Sequence, residues 1–330
     1  MDIKVSVIIP VYNVAPYLDA CLSSCINQTF RDMEIIVVND GSTDGSSGII
    51  QMYAKKDNRF KVITKENQGL IYARKSGLEV ACGEYVFHLD GDDYIEPNAI
   101  EILYEEAIKQ DADYVVANYY DVLGNERHEV WRNSRMKGLS GEAFFLCMLR
   151  GGYELWGRLI RRSLCDDIIY KPVVNGEDLF TTMQIVLKVK KPVVVDACLY
   201  NYVKRTGSLT NRNEEIMWKS KFYMIRSVFS LLDVYPYTQP IRERVYLMFF
   251  SFFLECISQK KMEVKTILYD YYWNKKEVKA FLWRKRKDFY LMINTFFLSP
   301  SVTCLAAKIY LYMIFLWRKF RGFMLTKSEC

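Results

Sequence analysis

The chain has 330 residues, of which 51% are hydrophobic and 15% aromatic, and its formal net charge is +6. This length and apolar content suffice for one large or two ordinary domains and exclude a largely disordered chain. Basic residues are in excess after residue 240, whereas residues 1–240 are net negative, so we expect different roles for the two parts. The N-terminus lacks the pattern of a secretion signal, and nine unevenly spaced cysteines predict reduced thiols. Two histidines do not favour a zinc site or a His-based triad.

Residues 1–120 alternate strand-like and helix-like patterns. Strands are predicted at 5–10, 34–39, 60–64, 85–89 and 114–119, and helices at 17–27, 46–56, 69–81 and 97–110. Short β-branched runs separated by helices of this length favour a mostly parallel, Rossmann-like sheet with helices on both faces. The predicted fold class is therefore α/β.

The strict alternation ends near Leu139. A helix is predicted at 141–149, another begins near Glu177, and two short strands follow at 193–196 and 199–203. From residue 213 the pattern is helical and rich in Phe, Tyr, Met and Lys. We therefore expect one domain at 1–212 and a helical, basic and aromatic region at 213–330.

Polar clusters follow each of the first four predicted strands. They read "PVYN", "NDGSTD", "KENQG" and "DGDD". Parallel strands place their carboxyl ends at one edge of a sheet, and ligands of such sheets bind beyond that edge. The dinucleotide fingerprint G-x-G-x-x-G and the P-loop are both absent from the sequence, so neither of these two ways to hold a nucleotide is expected.

The acidic stretch "HLDGDD" places Asp90, Asp92 and Asp93 directly after a strand. One interpretation is a solvated cap of the following helix. A calcium loop and an aspartyl phosphatase motif both fit poorly, because the required spacing and the Thr or Val after the second Asp are missing. The remaining interpretation is a site for a hard divalent cation that also holds a diphosphate. Asp40, after the second strand, is equally compatible with a turn cap.

The ordered motifs "VSVIIPVYN", "EIIVVNDGSTDGS", "NQGLIYARKSGLEVACGEYVFHLDGDDYIEP" and "NGEDLF" resemble family 2 glycosyltransferases of the GT-A fold, over residues 3–210. The resemblance implies inverting transfer of a hexosyl or N-acetylhexosaminyl group from a nucleoside-diphosphate sugar, usually a UDP-sugar, with Mn²⁺ or Mg²⁺. It also implies a nucleotide-sugar-binding half at 1–120 and an acceptor-binding half at 121–212.

The resemblance assigns site residues position by position. Pro10 and Tyr12 match the wall of the base pocket, and Asp40 matches the carboxylate that recognises uracil. Asn67 and Arg74 match positions near the ribose and diphosphate. The matches to the D-x-D motif are Asp90 on the ribose side and Asp92 on the metal, with Asp93 as a second metal ligand or a helix cap.

The later motif "NGEDLF" supplies the base that inverting transfer requires. Asp178 is the predicted base and Glu177 the second choice, although both acids also suit a helix N-terminus. In "YVKRTGSLT", Arg205 and Ser208 match a loop that closes over the donor, with an ordinary basic turn as the alternative. The segment "LWGRLIRR" departs from the family pattern, because Arg158 stands where a Lys is usual and its reach differs.

The basic, aromatic tail is the least specific part of the chain. Residues 302–317 form an apolar run interrupted by Lys308, shorter than the ~20 residues of a spanning helix. An interfacial helix on anionic lipid is predicted, with a buried helical domain or a homo-oligomer interface as the alternative. Helical placement of the aromatics does not favour nucleic-acid binding.

The resulting prediction is a metal-dependent, inverting glycosyltransferase, peripheral on the cytoplasmic face of a bacterial membrane. Its acceptor would be a hydroxyl of a lipid-linked saccharide in cell-envelope polysaccharide synthesis. The alternative from another class is a non-catalytic scaffold that binds nucleotide sugars. A nucleotidyltransferase is not favoured, because the loop G-x-G-x-R is missing after strand one.

Overall fold

A computed structural model describes residues 2–172, 176–205, 214–258 and 276–287, with positions 291, 293, 294 and 307. Ser208 lies outside the described residues, and so does the tail segment 302–317 except for position 307. The described chain divides into two compact units, residues 1–231 and 232–330. The predicted boundary after residue 212 precedes this division.

Within the described residues, nine strands form one sheet. In chain order they are β1 (Val5–Val11), β2 (Met33–Asp40), β3 (Phe60–Lys65), β4 (Tyr85–His88), β5 (Tyr94–Ile95), β6 (Tyr114–Leu123), β7 (Glu126–Val130), β8 (Arg158–Arg161) and β9 (Pro192–Val203). The described α-helices are α1 (Ala15–Ile26), α2 (Ser46–Lys56), α3 (Leu70–Glu79), α4 (Ala99–Lys109), α5 (Gly141–Met148), α6 (Glu177–Val186), α7 (Glu214–Val234), α8 (Gln239–Ser258) and α9 (Lys276–Lys285).

Strands β3, β2, β1 and β4 lie side by side in that order and run parallel. β1 and β2 are buried along their whole length, which is typical of parallel strands covered by helices on both faces. Val7 and Ile9 of β1 join a core with Leu18 of α1, whereas Ile8 contacts α3 at Gly77. The predicted α/β sandwich is thereby confirmed.

The second half of the sheet departs from the predicted pattern. The two strands expected at 193–196 and 199–203 are one strand, β9, whose pairing with β6 shifts register on either side of Asn118. A register shift looks like a strand break in the sequence, because it interrupts the alternation of side chains. Three strands were not predicted: β5 has two residues, β7 is largely exposed, and β8 enters antiparallel between β4 and β6.

In the second unit, the described residues form helix α8, helix α9 and isolated helical positions. α9 is amphipathic, with Val278, Phe281 and Leu282 buried and Trp283 half-exposed. Among the described residues, we find no helix with the length and apolarity required to cross a bilayer.

Candidate active site

A cavity of about 680 Å³ lies beyond the carboxyl ends of β1 to β4. The cavity wall contains residues from all four polar strand ends, among them Tyr12, Asp40, Asn67 and Asp90. Asp178, at the N-terminus of α6, closes the cavity from the second half of the sheet. The volume is within the range that ligand sites of proteins usually have.

Asp40 joins the end of β2 to the loop after β3. Its carboxylate accepts hydrogen bonds from the backbone N–H groups of Gln68, at 3.1 Å, and Gly69, at 2.8 Å. The neighbouring Gly41 has a φ of 75°, and a Cβ there would lie 2.9 Å from the backbone nitrogen of Asn67. Two loops therefore meet at a point where only glycine fits, and Asp40 fixes their separation.

Tyr12 and Pro10 form part of the cavity wall next to Asp40. The Tyr12 side chain is 44% exposed, which is unusual for a large aromatic residue directly after a buried strand. Asn67 is exposed on the opposite loop. The three residues offer a flat apolar surface and an amide, a combination suited to a planar, hydrogen-bonding ligand.

Arg74 of α3 lies between two carboxylates of the cavity. Its guanidinium donates to Asp90 Oδ1 at 2.7 Å and to Asp178 Oδ1 at 2.5 Å. The side chain is buried, and burial opposes its charge, but the charges of Asp178 and Asp90 raise the pKa of Arg74. Arg74 therefore holds the D-x-D loop and the N-terminus of α6 together.

The acids around Arg74 titrate abnormally. Burial raises the pKa of Asp178, although the charge of Arg74 opposes that shift. Burial and the neighbouring charge of Asp178 raise the pKa of Glu177 to about 8. Perturbed carboxylates in a cleft are typical of catalytic sites, because a general base needs a pKa above that of an ordinary surface acid.

Local sequence positions the two acids at the start of α6. Gly176 has a φ of 91°, and a Cβ there would lie 2.5 Å from the side chain of Met224 in α7. Glu177 and Asp178 therefore occupy the first turn, where the helix dipole favours negative charge. Glu177 lines the cavity but is only 9% exposed, and its Oε2 is buried without a hydrogen-bond partner in the described structure.

Asp92 contacts the chain segment that follows β9. Its Oδ2 accepts a hydrogen bond from Arg205 Nε at 2.6 Å, and the Arg205 guanidinium lies 5.5 Å from the ring centre of Tyr17. Arg205 therefore supplies a positive charge to the acidic loop. Asp92 and Arg205 both line the cavity, so a ligand there would contact an acidic side chain and a long basic side chain.

Asp93 lines the cavity, but its side chain is buried and hydrogen-bonded to the protein. Tyr200 donates to its Oδ2 and the backbone N–H of Val203 donates to its Oδ1, both at 2.7 Å. The side chain is 2% exposed. Its two oxygens thus have protein partners, whereas the side chain of Asp92 retains 23% exposure.

Arg158, the departure from the family pattern, does not line the cavity. Its guanidinium is buried and donates to the carbonyl oxygens of Trp156 and Gly152, and it also pairs with Glu154. Its positive charge therefore stabilises the loop 152–156. The structure gives it a role in shaping the second half of the sheet.

The carboxylates of the acidic loop are ligands of the kind that a divalent cation prefers. Within the described chain, no three His, Cys, Asp or Glu side chains converge as a closed metal cage. Mg²⁺ and Mn²⁺ commonly bind through one or two carboxylates plus substrate phosphates, so an incomplete protein cage fits these ions. Asp92 provides a partly exposed carboxylate of the required kind.

Comparison with known proteins agrees with this geometry. The profile described as "Glycosyl transferase family 2" matches residues 6–169. The cholesterol galactosyltransferase of Borreliella burgdorferi is 33% identical over 265 residues, which are 76% of this chain and 74% of that protein. This chain belongs to glycosyltransferase family 2. The glycosyltransferase GlyA of Streptococcus pneumoniae is 35% identical over 237 residues, and the match spans only 33% of that longer protein.

A solved structure supports the same fold. Residues 1–349 of S. aureus TarS, crystallised in complex with UDP, superpose with a TM-score of 0.59 and 22% identity, over 73% of this chain and 69% of that one. The likeness confirms the predicted GT-A fold of this glycosyltransferase. Family membership also confirms that the chain is an enzyme.

The cavity contains residues that the sequence analysis missed. Trp156 and Tyr202 line it and stack on each other, with ring centres 5.5 Å apart and planes inclined by 5°. Trp156 also stacks on Tyr200 at 4.4 Å. Tyr200 and Tyr202 point to the same face of β9, and this i, i+2 spacing is the only sequence signal for them.

Proposed function

We propose that this enzyme transfers a sugar, with inversion, from a UDP-sugar to a hydroxyl group of a saccharide acceptor. The observation that best supports this proposal is that Asp40, Asp92 and Asp178, from three distant parts of the sequence, line one cavity. The related TarS fragment binds UDP in its crystal structure, which supports a uridine nucleotide here as well. The exposed ring of Tyr12 suits a stacked base, and Asp40 suits a base N–H.

The acidic loop would hold Mn²⁺ or Mg²⁺ through Asp92, together with oxygens of the diphosphate. Such a cation, when bound, neutralises negative charge on the leaving nucleotide. Asp93 is committed to Tyr200 and Val203, so we assign Asp92 as the metal ligand and Asp93 to loop structure. Arg205 would leave Asp92 when the cation arrives and pair with the diphosphate instead.

Asp178 would act as the general base. It takes the proton of the acceptor hydroxyl, whose oxygen attacks the anomeric carbon from the side opposite the diphosphate. The bond from that carbon to the phosphate oxygen breaks, and UDP leaves with the electron pair. Arg74 fixes one oxygen of Asp178 and leaves the carboxylate able to accept a proton. Glu177 and its unpartnered oxygen would contact the acceptor.

The acceptor would belong to a lipid-linked saccharide for a cell-envelope polysaccharide, and the enzyme would bind the inner face of the membrane. Helix α9 supports this proposal, since Trp283, Arg284 and Lys285 are exposed beside its buried apolar face. Tryptophan with adjacent basic residues is typical of helices at a lipid interface.

Isothermal titration calorimetry with UDP tests the donor and the metal. We expect UDP to bind in Mn²⁺ and to bind at least about tenfold more weakly in EDTA or in Asp92→Ala, because the cation bridges protein and diphosphate. Asp121→Ala is the matched control: Asp121 pairs with Lys204 at 2.6 Å, next to Arg205, but does not line the cavity. Equal UDP affinity in Mn²⁺ and EDTA would refute the metal role.

Transfer assays test the base. Asp178→Asn keeps the size and part of the hydrogen bonding of the side chain but cannot take a proton at neutral pH. We expect UDP binding close to that of the wild type and a transfer rate lower by ~100-fold or more. A variant that retains the wild-type rate would exclude Asp178 as the base.

A further inference from the structure

Tyr200 connects the acidic loop after β4 with strand β9, which is separated from β4 in the sheet by β8 and β6. Its hydroxyl donates to Asp93 Oδ2 at 2.7 Å and accepts from the backbone N–H of Asp90 at 3.2 Å. The residue is 2% exposed, so these hydrogen bonds are shielded from water. One hydroxyl group therefore binds both ends of the segment that contains Asp92.

The same segment has a second hydrogen-bonded connection to β9. The backbone N–H of Val203 donates to Asp93 Oδ1 at 2.7 Å. β5, which follows the acidic loop directly, pairs with β9 through Tyr94 with Asn201 and Ile95 with Tyr200. Two residues of β9 therefore donate hydrogen bonds to the two carboxylate oxygens of Asp93. The loop between Asp90 and Asp93 is thus hydrogen-bonded to β9 at both of its ends.

The ring of Tyr200 is itself fixed in place. Trp156 stacks on it with a centre distance of 4.4 Å and an angle of 20°. Gly157 lies against the same ring, and a Cβ at this glycine would approach it to 3.3 Å. The hydroxyl therefore has little freedom to move away from Asp93 and Asp90.

We propose that Tyr200, acting through Asp93, is a positioning residue that orients Asp92 for the metal–diphosphate complex. The inference rests on the proposed function, which gives Asp92 the metal. Its physical basis is the mutual repulsion of the acids in this loop, which favours their separation. Two buried hydrogen bonds hold the loop in one arrangement before the cation binds, and this preorganisation lowers the cost of binding.

Tyr200→Phe removes the hydroxyl and keeps the aromatic stack on Trp156. We expect the dissociation constant of UDP in Mn²⁺ to rise by about five- to thirtyfold, as for loss of one buried hydrogen bond to a charged group. The dissociation constant in EDTA should stay unchanged, because Asp40 and Tyr12 do not depend on Tyr200. Both constants are measured by calorimetry, with no turnover required.

Tyr53→Phe is the matched control. Tyr53 is also buried, and its hydroxyl also donates to a carboxylate, that of Asp19 at 2.8 Å, but Asp19 does not line the cavity, whereas Asp93 does. The two variants should lose similar thermal stability, and only Tyr200→Phe should lose metal-dependent affinity. If Tyr200→Phe binds UDP in Mn²⁺ as tightly as the wild type, or weakens equally in Mn²⁺ and EDTA, the positioning role is refuted.

Asp93→Asn alone is the second test of the proposal should Tyr200→Phe fail to fold, and the double variant separates positioning from direct ligation. If Asp93 acts through Tyr200, each single variant and the double variant should weaken metal-dependent UDP binding to a similar extent. If Asp93 binds the cation itself, Asp93→Asn should weaken metal-dependent UDP binding much more than Tyr200→Phe does, and the inference falls. Wild-type protein whose UDP affinity is the same in Mn²⁺ and EDTA would instead refute the proposed metal site, which is a different outcome.

Discussion

At the scale of single residues, Arg74 decides the arrangement of the cavity. It bridges Asp90 and Asp178, and the second of these lies 104 residues away in the sequence. The three charges compensate one another only when α3, the D-x-D loop and α6 are all in place. A buried guanidinium with two acidic partners is stable in that arrangement and costly in any other, because an unpaired charge would remain.

Glu177 is a buried acid that lies directly beside a second acid, Asp178. Burial raises its pKa from 4.5 to about 8, so the folded protein holds this proton more tightly than the unfolded chain. The group therefore contributes stability in full below pH ~4.5, and this contribution is lost as the pH rises through ~8.

Glu177→Gln tests this pH dependence. Glutamine stays neutral at all these pH values. The free energy of unfolding should therefore decrease less in the variant than in the wild type between pH 5 and 9, with a difference of roughly 1 kcal/mol or more. Urea unfolding at several pH values measures the difference. Glu101→Gln, which changes a first-turn acid of α4 outside the cavity, is the control. A gap between wild type and Glu177→Gln that does not vary with pH would contradict the assignment.

At the scale of elements, α3 must approach the sheet closely to bring Arg74 into the cavity. Gly77 makes this approach possible, because a Cβ there would lie 2.5 Å from Ile8 Cγ2 in β1. Arg74 and Gly77 are one turn apart on the buried side of α3. The position of the Arg74 side chain in the cavity therefore depends on the absence of a side chain at Gly77.

Gly77→Ala should destabilise the fold by about 1–3 kcal/mol, because overpacking displaces α3 from β1. Gly48 provides the contrast: it lies on the exposed side of α2, and a Cβ there has no atom within 4 Å. Gly48→Ala should raise stability by up to ~1 kcal/mol through helix propensity. Urea denaturation of both variants is the measurement, and effects of the same sign would contradict the packing argument.

At the scale of the whole molecule, charge is distributed unevenly along the chain. Basic residues are in excess after residue 240, whereas residues 1–240 are net negative, and six of their acids line the cavity. In α9 the basic residues Arg284 and Lys285 follow the exposed Trp283 directly. This distribution favours a surface of negative charge as a partner of the second unit.

Co-sedimentation with lipid vesicles tests this expectation. Binding to vesicles with phosphatidylglycerol should exceed binding to phosphatidylcholine and should fall as salt approaches ~1 M, where charges are screened within about 3 Å. Arg284→Glu with Lys285→Glu should weaken it. The control pair is Lys55→Glu with Lys56→Glu, at the exposed end of α2. Equal loss in both double variants would argue against a specific role of α9.

The sequence alone determined the parallel half of the sheet and named many, but not all, of the residues that line the cavity. Continuous apolar runs at β1 and β2 and polar clusters at four strand ends are local signals, and parallel strands bring those ends to one edge. Family motifs added Asp178 and Arg74 as site residues, and the structure places both in the cavity.

Only the tertiary structure decided which of these residues contact each other. The bridge from Arg74 to Asp90 and Asp178, and the bond from Tyr200 to Asp93, join segments far apart in the chain. The antiparallel insertion of β8 and the register shift of β9 bring Trp156 and Tyr202 to the cavity and Tyr200 to the acidic loop. Such contacts depend on strand order and register, which long-range packing sets and local sequence patterns do not encode.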